Sequence, residues 1–229
     1  MVPAGIEPHL FDHPRPEKFR QQYQLNGRPI VMYIGVLNAF QRVDYLLHAF
    51  AIALRERPKA LLLVVSPLVS KANEKEHKAL AEELGISQSI IWISPHLLQD
   101  LPSYVAMADV CVLPRPECPG HQIKLLNYML AGRPVVSFAG AAKGIRHLHD
   151  GFIVPNHDVE ALGRGIVTVL NNRPLARKLG ANARATVLSQ FDWRQICGKI
   201  ERIYDRLLRT RPAPAATLTE AVPSAAAYR

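Results

Sequence analysis

Cysteine is scarce in these 229 residues: Cys111, Cys118 and Cys197 form no CxxC pair, and their number is odd. A disulfide framework and a cysteine-built zinc site are therefore not expected, and a reduced, cytosolic compartment fits best. Aromatic residues make up 7% and are not interleaved with the basic ones, so no base-stacking surface for nucleic acid is indicated. No apolar run approaches the ~20 residues needed to span a bilayer. The first residues carry no basic stretch followed by an apolar one, so no signal peptide is read. GxGxxG, the P-loop and HExxH are all missing, which removes the usual dinucleotide, Walker and helical zinc motifs. His147 and His149 lie two apart without a third ligand nearby, so no metal site is assigned.

What remains is ordinary globular composition. Hydrophobic residues make up 48%, charged residues 21%, and mean hydropathy is +0.01. The length suits one domain with a full core, or two small ones. The net charge of +9 gathers late, in Arg173, Arg177, Lys178, Arg184, Arg194, Lys199, Arg202, Arg206 and Arg209. These positions fall on amphipathic helical patterns, where a basic residue normally marks the solvated face. Such charge also suits an anionic membrane surface or anionic ligands.

Short apolar runs alternate with helical patterns along the chain. Strands are predicted over 30–34, 61–65, 90–93, 109–113, 134–137 and 152–154, each bounded by Gly, Pro or polar residues. Helices are predicted over 43–55, 71–84, 101–107, 122–131, 159–170, 175–190 and 193–208. Continuous apolar strands are buried on both faces, so the pattern predicts a Rossmann-like, doubly wound parallel α/β sheet. Met107, Met129 and Trp92 read as core. Beyond Thr210 the Pro, Ala and Thr-rich composition has no periodicity, and 210–229 reads as a disordered tail. No internal repeat is found. Ligands of such sheets bind beyond the carboxyl ends of the strands, which directs attention to the loops after Ile34, Ile93, Leu113 and Ser137.

The most informative stretch runs from Leu113 through Glu117, Gly120, His121, Lys124, Asn127, Met129 and Gly132 to Val136. Gly120 precedes a helix whose first turn holds Lys124. Free backbone N–H groups at a helix start, together with a cation, are what a diphosphate requires. A lysine there opposes the helix dipole, and an anionic ligand explains its placement. Lys124 and Asn127, three apart, share one helix face.

This stretch resembles the pattern Glu-Ala-Met-Ala-x-Gly-x-Pro-Val-Val of the family-four (glycosyl transferases group 1) retaining glycosyltransferases of the GT-B type. Four further stretches agree in order: 2–6 with Phe11, Ile34–Asn38 with 43–47, Asp150–Pro155, and Phe191–Trp193. The resemblance implies the donor-binding, C-terminal half of a GT-B enzyme. Residues 1–12 would be the interdomain segment leaving an acceptor-binding domain, and 13–209 the nucleotide-sugar domain. It implies transfer of a sugar with retention, from a UDP-, GDP- or ADP-sugar, with no cofactor or essential metal. The acceptor would be a sugar, a lipid-linked sugar or a protein, with cell-envelope polysaccharide as the setting. An N-terminal acceptor half, supplied by another chain, is an expected partner; contact with an anionic membrane face is a second.

The resemblance also implies two glutamates, eight apart, holding the sugar and the ribose. Here Pro119 and Asn127 occupy those positions. Asn127 can hydrogen-bond a ribose hydroxyl, and Glu117 is the nearest candidate for the catalytic carboxylate. Val36 and Gln41 replace an arginine and a lysine of the family, leaving Arg42 as the nearby cation. The donor-binding set is thus Gly35, Arg42, Gly120, His121, Lys124 and Asn127. A non-catalytic nucleotide-sugar binding module or inactive remnant is the alternative; a related epimerase or phosphorylase fits the helix motif less well.

Overall fold

A computed structural model describes residues 4–25, 27–66, 71–94 and 98–209; the stretch 210–229 and the start of the 1–12 segment lie outside the described residues. Six strands, β1 (Ile30–Ile34), β2 (Leu61–Val65), β3 (Ile90–Ile93), β4 (Val110–Leu113), β5 (Val135–Phe138) and β6 (Phe152–Val154), form one parallel sheet in the order β3-β2-β1-β4-β5-β6. The helices are α1 (Pro16–Gln22), α2 (Val43–Glu56), α3 (Lys71–Glu83), α4 (Leu101–Ala106), α5 (Ile123–Leu130), α6 (Val159–Asn171), α7 (Arg173–Gln190) and α8 (Trp193–Arg209). This is the doubly wound order, and the direction of winding reverses between β1 and β4.

Strand side chains alternate between the two faces, and the core divides accordingly. Ile30, Met32, Ile34, Cys111 and Leu113 pack with Phe19, Tyr104, Leu125, Met129 and Val187 on one face. Val31, Tyr33, Val110 and Val112 pack with α2 and α6 on the other, through Leu46, Phe50, Leu162 and Ile166. Met107 and Met129 are buried as expected. Trp92 is only half-buried, lying against the second cluster beneath the Lys78 ammonium.

The segment before α1 is not a free leader. Ile6 accepts from the Trp193 amide at 3.0 Å and donates to the Phe191 carbonyl at 2.9 Å, and Ile6 and Phe11 are buried in the first cluster. Helix α1 has no counterpart in the sequence reading. It contributes one buried residue, Phe19, and is tied down by Arg20, which donates to the Met107 carbonyl at 2.6 Å.

Candidate functional site

The winding reversal leaves a gap that a side chain must fill. β1 and β4 are in register only at Val31–Val110 and Met32–Cys111. Beyond that point the strands part, and the Ile34 N–H loses its ladder acceptor. Tyr128 on α5 supplies one: its hydroxyl oxygen accepts from Ile34 N at 2.7 Å. Burial pushes the Tyr128 phenol well above its ordinary range, so it stays a neutral hydroxyl.

One turn earlier on the same helix, Lys124 reaches the mouth of this gap. Its Nζ donates to Gln41 Oε1 at 2.6 Å and to the Tyr33 hydroxyl at 3.3 Å. Tyr33 in turn donates to the Val36 carbonyl at 2.9 Å. Burial, then the charge of Arg115, brings the Lys124 ammonium down to about 8. Gly35 makes the approach possible. Its φ is +153°, and a Cβ there would lie 2.6 Å from Lys124 Nζ and 2.9 Å from the Tyr33 hydroxyl.

Lys124 therefore has two neutral oxygens for company and, among the described residues, no carboxylate. Arg115, in the loop after β4, adds a second positive charge; its guanidinium lies over the exposed Phe40 ring, 4.9 Å from the centroid. It too forms no ion pair among the described residues. Two cations at the carboxyl ends of β1 and β4, with no acid to neutralise them, make a place for an anion.

The other predicted site residues are distributed around this centre. Gly35 and Lys124 meet. Asn127 is half-buried on the Lys124 face of α5, and its amide makes no hydrogen bond among the described residues. Arg42 follows Gln41, but its backbone is left-handed (φ 53°), and its guanidinium is held by Asp44 at 2.7 Å and stacked 3.4 Å from the Tyr45 ring centroid. His121 lies with its ring 5.2 Å from Phe191. Gly120 is exposed, and a Cβ there would touch nothing within 4 Å; its lack of a side chain serves no close approach within the chain itself.

The loop bearing Glu117 is anchored. Glu117 bridges to Gly140 beyond β5, the Cys118 amide donates to the Gly140 carbonyl at 3.3 Å, and Lys143 donates to the Pro119 carbonyl at 2.8 Å. The loop is thus fastened to the segment beyond β5, with Glu117 exposed. Arg115, Tyr33 and Phe40 were not among the residues predicted from sequence. His147 accepts from the Ile153 amide at 3.0 Å and His149 lies beside Arg146; no group of three metal-ligating side chains occurs among the described residues. No helix among them is long and apolar enough to cross a membrane.

The chain is similar to several known proteins. An exopolysaccharide phosphotransferase of Streptomyces coelicolor is 30% identical over 204 residues, which are 87% of this chain and 21% of that protein. A GDP-mannose-dependent alpha-(1-6)-phosphatidylinositol monomannoside mannosyltransferase of Mycobacterium tuberculosis is 25% identical over 211 residues, 87% of this chain and 54% of that one. Among structures, sucrose-phosphate synthase from Thermosynechococcus elongatus superposes with a TM-score of 0.80 at 26% identity, covering 92% of this chain and 53% of the synthase. Anabaena HepE in complex with UDP gives 0.79 at 20% identity, covering 88% of this chain and 56% of that one, a likeness of fold. The chain thus spans between a fifth and a little over half of these proteins. Residues 15–186 match the family described as Glycosyl transferases group 1, and the chain belongs to that family.

Proposed function

We propose that this chain is the donor-binding half of a retaining, family-four glycosyltransferase of the GT-B type. The observation that carries the reading is the pair Lys124 and Arg115 at the winding reversal, positive and without a carboxylate. A nucleotide sugar brings a diphosphate to such a place. When the bond from the anomeric carbon to the diphosphate breaks, the electron pair stays on the phosphate oxygen. Lys124 and Arg115 offset that charge, and the acceptor hydroxyl, passing its proton to the departing diphosphate oxygen, bonds to the same face of the sugar. Fixed charge at the developing anion is usually the largest contribution to catalysis. Asn127 is assigned to the ribose, Glu117 to the sugar, and the backbone around Gly120 and His121 to the phosphates. HepE, described with UDP, and the mannosyltransferase, named for GDP-mannose, support a nucleotide-sugar donor.

The acceptor half is assigned to the exposed apolar side of α8. Ile203, Tyr204 and Leu208 are more than half exposed there, at 54%, 63% and 66%, beside Arg202 and Arg209. Calorimetry of the chain with UDP, GDP and ADP tests the donor reading. Saturable binding of one diphosphate, weakened in Lys124→Ala, is expected. No binding by any of the three would overturn the proposal and favour an inactive remnant.

A further inference from the structure

A cavity of about 300 Å³ opens at the opposite end of the sheet from Lys124. Its floor is formed where β1, β4 and β5 begin, at Pro29, Asp109 and Pro134, and its walls carry Arg57, Arg133, Arg173 and Arg177. Four arginines therefore line the cavity against one acidic residue, Asp109, whose Oδ2 accepts from the Ile30 amide at 2.7 Å. Among the described residues none of the four arginines forms an ion pair. Arg133 donates through Nη1 to the Ala108 carbonyl at 3.0 Å, while its Nε is buried without a partner.

The placement of Arg173 and Arg177 sharpens the point. They stand one turn apart at the start of α7, whose first turn holds no acidic residue. The amino end of a helix is its positive end, and like charges four apart repel, so the chain alone gains nothing from this arrangement. A bound anion removes both penalties. Val169, Leu170 and Ala176 supply an apolar wall to the same cavity. Its volume is at the lower end of the about 300–1,000 Å³ range of small-molecule sites.

We infer that this cavity is a second ligand site, which takes a small phosphorylated solute of sugar-phosphate size. The phosphate meets the arginines and the organic part lies against Val169 and Leu170. The site is remote from the diphosphate centre and independent of the function proposed above.

The test uses the full chain carrying Lys124→Ala, so that the diphosphate centre is disabled. Titration calorimetry with glucose 1-phosphate and with inorganic phosphate, at constant ionic strength, should give saturable binding, tighter for the ester. Adding Arg173→Gln and Arg177→Gln should weaken it about tenfold or more, the effect of losing charge-assisted bonds. Arg202→Gln with Lys199→Gln, on α8, should leave it unchanged. In the chain without substitutions, glucose 1-phosphate should shift the amide resonances of Gly27, Gly132 and Arg177, a readout that does not depend on any variant folding. Absence of saturable binding, unchanged affinity in the α7 variant, equal weakening in the α8 control, or unmoved resonances would each overturn the inference.

Discussion

Lys124 and Gly35, 89 positions apart in sequence, compete for one volume: a side-chain carbon on Gly35 would begin 2.6 Å from the lysine ammonium. Gly35→Ala must therefore displace the amine while forcing alanine into a φ that only glycine adopts readily. The expected cost is about 1–3 kcal/mol of stability, with nucleoside diphosphate affinity falling about tenfold. Denaturant melts and calorimetry measure the two. Unaltered affinity would detach Gly35 from the binding centre.

The Lys124 ammonium titrates at about 8 in the folded chain and at about 10.4 when unfolded. Between these values the unfolded state holds more protons, so stability without ligand rises as pH climbs through this window and is lowest below it. Lys124→Met should flatten that slope and stabilise the chain at pH 7 by about 1–2 kcal/mol, after allowing for partial solvent screening. The same variant should bind diphosphate more weakly by roughly 1–3 kcal/mol. Binding by the unsubstituted chain should decline above pH 8, as the amine loses its charge. A variant that is destabilised, yet binds normally, contradicts this account on both sides.

Tyr128→Phe isolates one hydrogen bond. The ring still fills its pocket, but the Ile34 N–H loses the acceptor that stood 2.7 Å away. Leaving a buried donor unmatched costs about 1–3 kcal/mol. Equilibrium urea unfolding should show a lower midpoint with an unchanged slope. No shift in midpoint would mean that another acceptor serves Ile34.

For α8, replacing Ile203, Tyr204 and Leu208 together by serine should leave the melting temperature within a few degrees, because these side chains are mostly exposed. Diphosphate binding should persist. By itself the chain should at most hydrolyse a donor slowly, since transfer needs both substrates held in near-attack geometry. Fusing the acceptor half of a relative should restore transfer, and the serine variant of that fusion should lose it. Strong transfer by the unfused chain would mean an acceptor site elsewhere in it. Loss of binding to anionic vesicles, with transfer in the fusion intact, would reassign α8 to a membrane surface.

The strands were legible because each is a buried apolar run cut off by a breaker, and the six predicted spans differ from those observed by no more than a residue at either end. α1 was not, because a seven-residue helix with a single buried side chain has no period to detect. At the site, Gly35 and Lys124 were readable from their places after a strand and at a helix start. Their meeting was not. Gln41 looked like the loss of a cation, yet it accepts from a lysine 83 residues away. Arg42 looked like the replacement, but one left-handed residue turns its side chain onto Asp44 and Tyr45. Arg115 sits in a proline-rich loop whose course depends on the bridge from Glu117 to Gly140, a pairing with no local signal.

The parting of β1 from β4 gives the domain the construction of a book. One leaf is β3-β2-β1 and the other β4-β5-β6. The spine is sewn at one end by Asp109 to the Ile30 amide and at the other by Tyr128 to the Ile34 amide. α2 pressed against α6 forms the binding, where a Cβ on Gly163 would lie 2.8 Å from the Ala49 carbonyl. A diphosphate binding at Lys124, as proposed, would sit at the end where the two strands part. The Ile34 amide lies at that same end, so its exchange with solvent deuterium should slow when a diphosphate binds there.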